Sequence, residues 1–344
     1  MKEAIFPLLG PVLVFALALP ASALLARLLL RGLSRLERTD GVHAKHGIRY
    51  AILVLSSSVP LAWFISASLH QVETGANVLV CSLEHAPEAF CPEAAYFSLA
   101  LLVLAASVAL PRLAREQFLL RPSASPRAAR LRSRVLQLAA KREGLRGLVQ
   151  RLVVTDEART PIATVGVLHP RVVVQASFAE RLDDESLAGA LHHELVHLRA
   201  RDPLRYFLLW WALAVNPLGR FLLKADHARW LLGREAHCDR AAVIAGASPI
   251  ALAQALVVAA RPPARGLTLS AALGDVHVDA MKLRVDLLFA YADRMPVGCC
   301  RQPALRLVAA FLVLVLVLPH QGGTQALDIV HQASETAVAL LIAD

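Results

Sequence analysis

The chain reads as a mainly α membrane protein, with about four transmembrane helices and a cytoplasmic α+β domain built round a small sheet. Three observations predict this class. Apolar residues make up 56% of the 344-residue chain, and mean hydropathy is +0.52, above the roughly 45–50% apolar content of soluble domains. The excess is gathered into blocks rather than spread evenly. Between those blocks, segments rich in arginine alternate with segments that have no basic residue.

The blocks come first. A spanning helix needs about 17–25 residues, and four runs qualify or nearly so: Ile5–Leu30, Ala51–Leu69, Ala95–Leu110 and Leu305–Pro319. The last two are short, which a locally thinned bilayer accommodates. Prolines at 7, 11 and 20 are expected to kink the first run. Its "ALPASA" resembles a signal-peptidase site, but the apolar run continues past it and arginines follow, so a span is the expected outcome.

Connecting segments set the orientation. Residues 31–50 carry Arg31, Arg35, Arg38, Lys45 and Arg49, whereas residues 70–95 carry no Lys or Arg but four glutamates. Residues 112–134 hold seven arginines, and 321–344 again hold none. Counted by the positive-inside rule, the N-terminus, the 70–95 loop and the tail lie outside, and about 112–304 is cytoplasmic. Three units follow: three spans in 1–112, a cytoplasmic domain in 113–304, and a last span with a short external tail in 305–344. The net charge of +9 is thereby assigned to membrane topology and lipid contact. No aromatic-interleaved basic patch points to a nucleic-acid partner. Cys81 and Cys91 share the external loop, where oxidising conditions favour a disulfide; Cys238, Cys299 and Cys300 fall on the reducing side.

Within the cytoplasmic unit, 113–150 reads as basic and helical. "RLVVTD", "TPIATVG" and "RVVVQASF" then read as three short strands, joined between the second and third by a tight "VLHP". Asp183-Asp184 offers a helix N-cap, and the helix runs to about Ala200 with the sequence "DDESLAGALHHELVHLRA". On it His193 and His197 are four apart, so both rings leave the same face. Two imidazoles so placed can share one zinc at about 2.0–2.1 Å each. Glu194 is turned about 100° from His193, where a carboxylate can hold a water beside the metal and take its proton. His192 points off that face and reads as a packing or surface residue.

A hydrolytic site needs a third protein ligand and one open position. "REAHCDRAAV" supplies Glu235 as ligand and, one turn on, Asp239 to hold a ligand histidine's other N–H. Between these groups lies the apolar run 206–223, broken at Asn216-Pro217. A single crossing there would put the histidines and Glu235 on opposite sides of the bilayer. The run is therefore expected to be a re-entrant hairpin or a helix pair lying against the membrane.

The set His193-Glu194-x-x-His197, Asp202, Asn216-Pro217 and Glu235-x-x-Cys238-Asp239, with three spans before and one after, resembles the integral-membrane zinc peptidases of the BlaR/MecR antirepressor type. More distantly it looks like HtpX and the CAAX-processing membrane peptidases. The resemblance implies a gluzincin-type domain with one Zn2+ on His193, His197 and Glu235 and with Glu194 as base. It also implies a multi-pass protein of the bacterial inner membrane with its catalytic domain in the cytoplasm, and a winged-helix repressor as cytoplasmic substrate. Those sensors carry a penicillin-binding domain with a Ser-x-x-Lys site. Here about 25 residues follow Pro319, and none of the five lysines has serine three positions before it, so direct β-lactam acylation is not expected. Substrate is expected to bind by β-augmentation along Ile162, Ala163, Thr164, Val165 and Gly166. His169 and His237 are the candidates for stabilising the oxyanion. Two other functions fit the same residues: membrane-protein quality control, and a non-catalytic transducer with a structural zinc.

Overall fold

The computed structural model describes residues 6–36, 46–74, 125–156, 160–260 and 271–294, with short stretches near 103–113 and at 308–310. Two long helices open it, α1 (Phe6–Leu36) and α2 (His46–Thr74). Among the described residues one stretch, Leu17–Arg35, is long and apolar enough to cross a membrane. One candidate span therefore stands where four were expected. The runs Ala95–Leu110 and Leu305–Pro319 are described only in part, and Cys81, Cys91, their loop and the C-terminal tail lie outside the described residues. α1 continues as one helix through the prolines at 11 and 20.

The mostly helical domain that follows contains a small mixed sheet. α3 (Pro126–Lys141) starts where Ser125 Oγ accepts from Ala128 N at 3.0 Å and proline takes the first helical position, both common start devices. A 3-10 run, Glu143–Arg151, leads into β1 (Leu152–Thr155). β2 (Ile162–Val165) and β3 (Arg171–Gln175) complete the sheet in the order β1-β3-β2. β1 runs parallel to β3 (Leu152 opposite Val172) and β2 antiparallel to it (Ile162 opposite Val174), which leaves β2 at the edge.

The third predicted strand is shorter than its sequence suggested. β3 stops at Gln175, and Ala176–Glu180 turns into a short helix, α4. The run loses its β-branched residues at that point, and the turn drives Phe178 into the core at 1% exposure.

α5 (Asp184–Ala200) is the central helix. Asp183 caps it, its Oδ1 accepting from Ser186 N at 2.7 Å. Leu187, Leu191, Leu195 and Leu198 bury one side against α3, β1 and β3. On another side a Cβ added to Gly189 would meet backbone atoms of Leu252 at 3.2 Å, so glycine lets α9 (Pro249–Ala260) cross in near contact. α5 ends at Arg201, whose φ of 53° is left-handed. The chain then reverses into α6 (Asp202–Val215) and breaks at Asn216 into α7 (Pro217–Leu222). Asn216 caps α7 through Gly219 N at 2.8 Å and donates to Leu19 O of α1 at 3.1 Å. α8 (Lys224–Ile244) and α10 (Ala271–Asp293) close the domain around α9.

A second apolar cluster joins α1 (Ala26, Leu30), α2 (Tyr50, Leu53), α6 (Leu209, Leu213) and Trp230 of α8. Beside it Arg49, 1% exposed, places Nη1 2.6 Å from Asp226 Oδ1 and donates from Nη2 to Ser34 Oγ at 3.1 Å. Removing one member of a buried pair strands the other charge, at a cost of about 3–5 kcal/mol. Arg49→Ala should lower the thermal unfolding midpoint in detergent. Arg49→Ala/Asp226→Ala together should cost less than the sum of the single changes, as a double-mutant cycle will read.

Candidate metal centre

α5 carries His193, Glu194 and His197, all about 6% exposed. Nε2 of His193 and Nε2 of His197 face each other at 3.0 Å. Glu235 reaches them from α8, with Oε2 3.4 Å from His193 Nε2 and Oε1 3.6 Å from His197 Nε2. The apolar run between these residues is a broken helix pair that brings α8 back alongside α5. That satisfies the constraint the sequence imposed.

These three groups fit a metal. Tetrahedral bonds of about 2.0–2.1 Å put ligand atoms about 3.3 Å apart; here the two Nε2 atoms are 3.0 Å apart, and the two oxygens of Glu235 lie 3.4 Å (Oε2) from one and 3.6 Å (Oε1) from the other. Two imidazole nitrogens and one carboxylate oxygen also form a common donor set for catalytic zinc. Each ring is braced from behind by a buried carboxylate, which fixes its orientation and raises its basicity. His193 Nδ1 lies 2.8 Å from Asp239 Oδ1, and His197 Nδ1 lies 2.6 Å from Asp202 Oδ2. The left-handed turn at Arg201 folds Asp202 back onto the histidine five residues earlier. His197, Asp202 and Cys238 also gather close enough to hold an ion. There, however, Arg234 Nε (2.6 Å) and Arg205 Nη1 (3.2 Å) already neutralise Asp202, so this group braces His197.

Three contacts at the site had no counterpart in the sequence reading. Arg284 of α10 grips Asp239 in a fork, Nε to Oδ2 at 2.7 Å and Nη2 to Oδ1 at 2.8 Å, and its Nη1 lies 3.1 Å from Glu235 Oε2. The Tyr206 hydroxyl donates to Glu235 Oε1 at 3.2 Å. The Thr164 hydroxyl donates to Glu194 Oε2 at 2.6 Å, which ties the edge strand to the motif helix. The remaining strand residues, Ile162, Ala163 and Val165, are half-buried beside it. His192 packs its ring against Gly144. The two histidines proposed for the oxyanion are elsewhere: His169 is exposed, and His237 packs on His46 with ring centroids 4.6 Å apart.

A cavity of about 220 Å³ opens at the triangle. One wall is His193, Glu194, Glu235 and Arg284; the other is apolar, with Ile162 of β2, Phe178, Met281 and the α9 residues Leu252, Ala255, Leu256 and Ala259. The α9 set recurs at helical spacing, so one whole face of that helix borders the cavity.

Charge in the triangle depends on protons when no metal is bound. Burial lowers the His193 pKa, but Asp239 and Glu235 outweigh it and raise the group to about 9. Burial likewise opposes the charged form of His197, yet Cys238, Glu235 and Asp202 hold it well above the usual imidazole range. Glu235 is held well below the usual carboxylate range despite burial, by His197, His193 and Arg284. At neutral pH the facing Nε2 atoms therefore share a proton, and a metal must displace it. Zinc uptake at pH 7 should release at least one proton, and affinity should rise with pH towards about 9, where His193 deprotonates. Calorimetric titration in buffers of different ionisation enthalpy measures this; proton-neutral uptake would contradict it.

No curated protein and no solved structure matches the chain. A family model described as BlaR1 peptidase M56 matches residues 48–250, from the start of α2 to the start of α9. That span holds every residue of the triangle and its braces except Arg284. The chain belongs to the BlaR1-type M56 peptidase family.

Proposed function

We propose that this protein is a membrane-bound zinc endopeptidase that cuts a cytoplasmic protein, with a transcriptional repressor as the substrate class. His193, His197 and Glu235 hold the zinc, Glu194 is the general base, and Asp239 and Asp202 orient the ligand rings. The chain crosses the inner membrane about four times and keeps residues 113–304 in the cytoplasm. The observation that carries the proposal is the ligand triangle beside Glu194 at the mouth of a half-apolar cavity. A purely structural site would be closed by a fourth protein ligand, whereas here the triangle borders open space.

A zinc ion held there supplies a Lewis acid and acidifies water. The protein's own groups do the rest. Glu194, held by Thr164, takes a proton from the attacking water and delivers it to the leaving nitrogen. Substrate lies extended along β2, the sheet edge, where its backbone can pair with a strand that lacks a second neighbour. Ile162 lines the cavity and Thr164, two residues on, bonds Glu194, so that alternate face of β2 points the peptide at the reacting groups. The apolar wall on α9 then receives an apolar side chain next to the scissile bond.

Glu194→Gln should bind zinc as the wild type does and cleave about 10²–10⁴-fold more slowly. Metal content and the set of cellular proteins cut by each form are the measurements. Undiminished cleavage by the variant would remove Glu194 from the mechanism.

A further inference from the structure

The mechanism above has a carboxylate for the proton and a metal for the carbonyl, but no side chain assigned to the negative charge that grows on the carbonyl oxygen. We propose that Arg284 of α10 binds that oxyanion, an inference that rests on the peptidase reading. Among the described residues bordering the cavity, Arg284 is the one arginine or lysine. The other N–H-bearing side chain there, His193, has Nε2 in the ligand triangle and Nδ1 against Asp239.

The guanidinium is also fixed in place. Its Nε and Nη2 grip both oxygens of Asp239, and Nη1 lies 3.1 Å from Glu235 Oε2. The hydrogen bonds to Asp239 use two of its five N–H groups, and the ion pair with Glu235 holds its plane beside a metal ligand. Nη1 makes no part of the Asp239 fork, and the side chain keeps 11% of its surface exposed, on a residue that borders the cavity. A donor held rigid before reaction stabilises developing charge without reorganisation. Arginine keeps its proton throughout.

The balance of the step is simple. The water oxygen bonds the carbonyl carbon, its proton passes to Glu194, and the C=O π pair moves to the oxygen that Arg284 meets. The pair then returns, the C–N bond breaks, and the nitrogen takes the proton from Glu194. Arg284 neither gains nor loses a proton.

Arg284→Gln and Arg284→Lys in the full-length, zinc-loaded protein in detergent test this. Both should still take up one zinc per chain, and acetohydroxamate, which ligates the metal directly, should lose much less affinity than a tetrahedral anion does. On fluorescein-casein, kcat of the glutamine form should fall about 10²–10³-fold with KM little changed, and lysine should restore part of the loss. A phosphinic peptide with an apolar side chain, a tetrahedral anion, should weaken in parallel with kcat/KM. That binding is measured in the Glu194→Gln background, so it decides the role of Arg284 without turnover. If the wild type cuts no casein, the peptidase reading fails separately. Two outcomes overturn the proposal: zinc and acetohydroxamate binding lost together, which would make Arg284 only a bracket for Glu235 and Asp239, or phosphinic-peptide affinity unchanged in zinc-full variants.

Discussion

Two imidazole nitrogens held 3.0 Å apart in a buried place impose the order of everything around them. Bare lone pairs at that distance repel, so the pair must share a cation, either a proton or a metal. With both Nε2 atoms facing inward, both Nδ1 atoms face outward, that of His197 hydrogen-bonded to Asp202 and that of His193 ion-paired with Asp239 at 2.8 Å. Buried carboxylates in turn need counter-charge. Arg284 answers Asp239, while Arg234 and Arg205 answer Asp202. The chain of requirements runs outward from the metal position until it has drawn α6, α8 and α10 against α5.

One consequence is that the site is built into the joint between the domain and the first two helices. Tyr206 donates to Glu235 and sets its ring edge-on to Trp230, with centroids 5.4 Å apart; Trp230 lies 5.3 Å from Tyr50 of α2. The helix that delivers Glu235 is pinned to α2 four residues from that tryptophan, through Asp226 and Arg49. The ligand's position therefore depends on how α8 sits against α1 and α2. An apolar N-terminal segment is in this sense part of the site's scaffold.

Local sequence carried the pieces whose geometry is local. His193 and His197 share a face because of the helical period. Asp183 caps α5 as its position suggested, and Asp239 follows Glu235 by one turn, so the pair points one way. An edge strand was expected over Ile162–Gly166; the sheet order puts Ile162–Val165 at an edge, and Gly166 lies past its end with a left-handed φ of 96°. Groups that arrive by tertiary convergence had no such signal. Arg284 lies in an ordinary amphipathic stretch, "KLRVDLL", and Tyr206 opens an apolar run that reads as membrane. Both matter because of what α10 and α6 pack against, which no window of residues contains. The end of β3 was missed for a related reason: Phe178 gains more by turning into the core than by continuing the strand.

The arginines illustrate how one residue can satisfy two levels of description. Read along the chain, the arginines between 112 and 134 are a topology signal. In the fold, Arg134 bonds Asp184 at 2.7 Å and the carbonyl oxygens of Ala179 and Leu182, and Arg127 pairs with Glu180. Arg142 pairs with Glu185 in the same way. Arg134 and Arg142 thus meet the N-terminal end of α5, where acidic side chains already favour the helix dipole, while Arg127 meets the end of α4. This pairing does not weaken the orientation proposed from their count. The positive-inside rule depends on the number of Lys and Arg near the spans and is nearly indifferent to acidic partners. The same arginines can thus hold their segment on one side of the bilayer and, once there, lock the motif helix against α3.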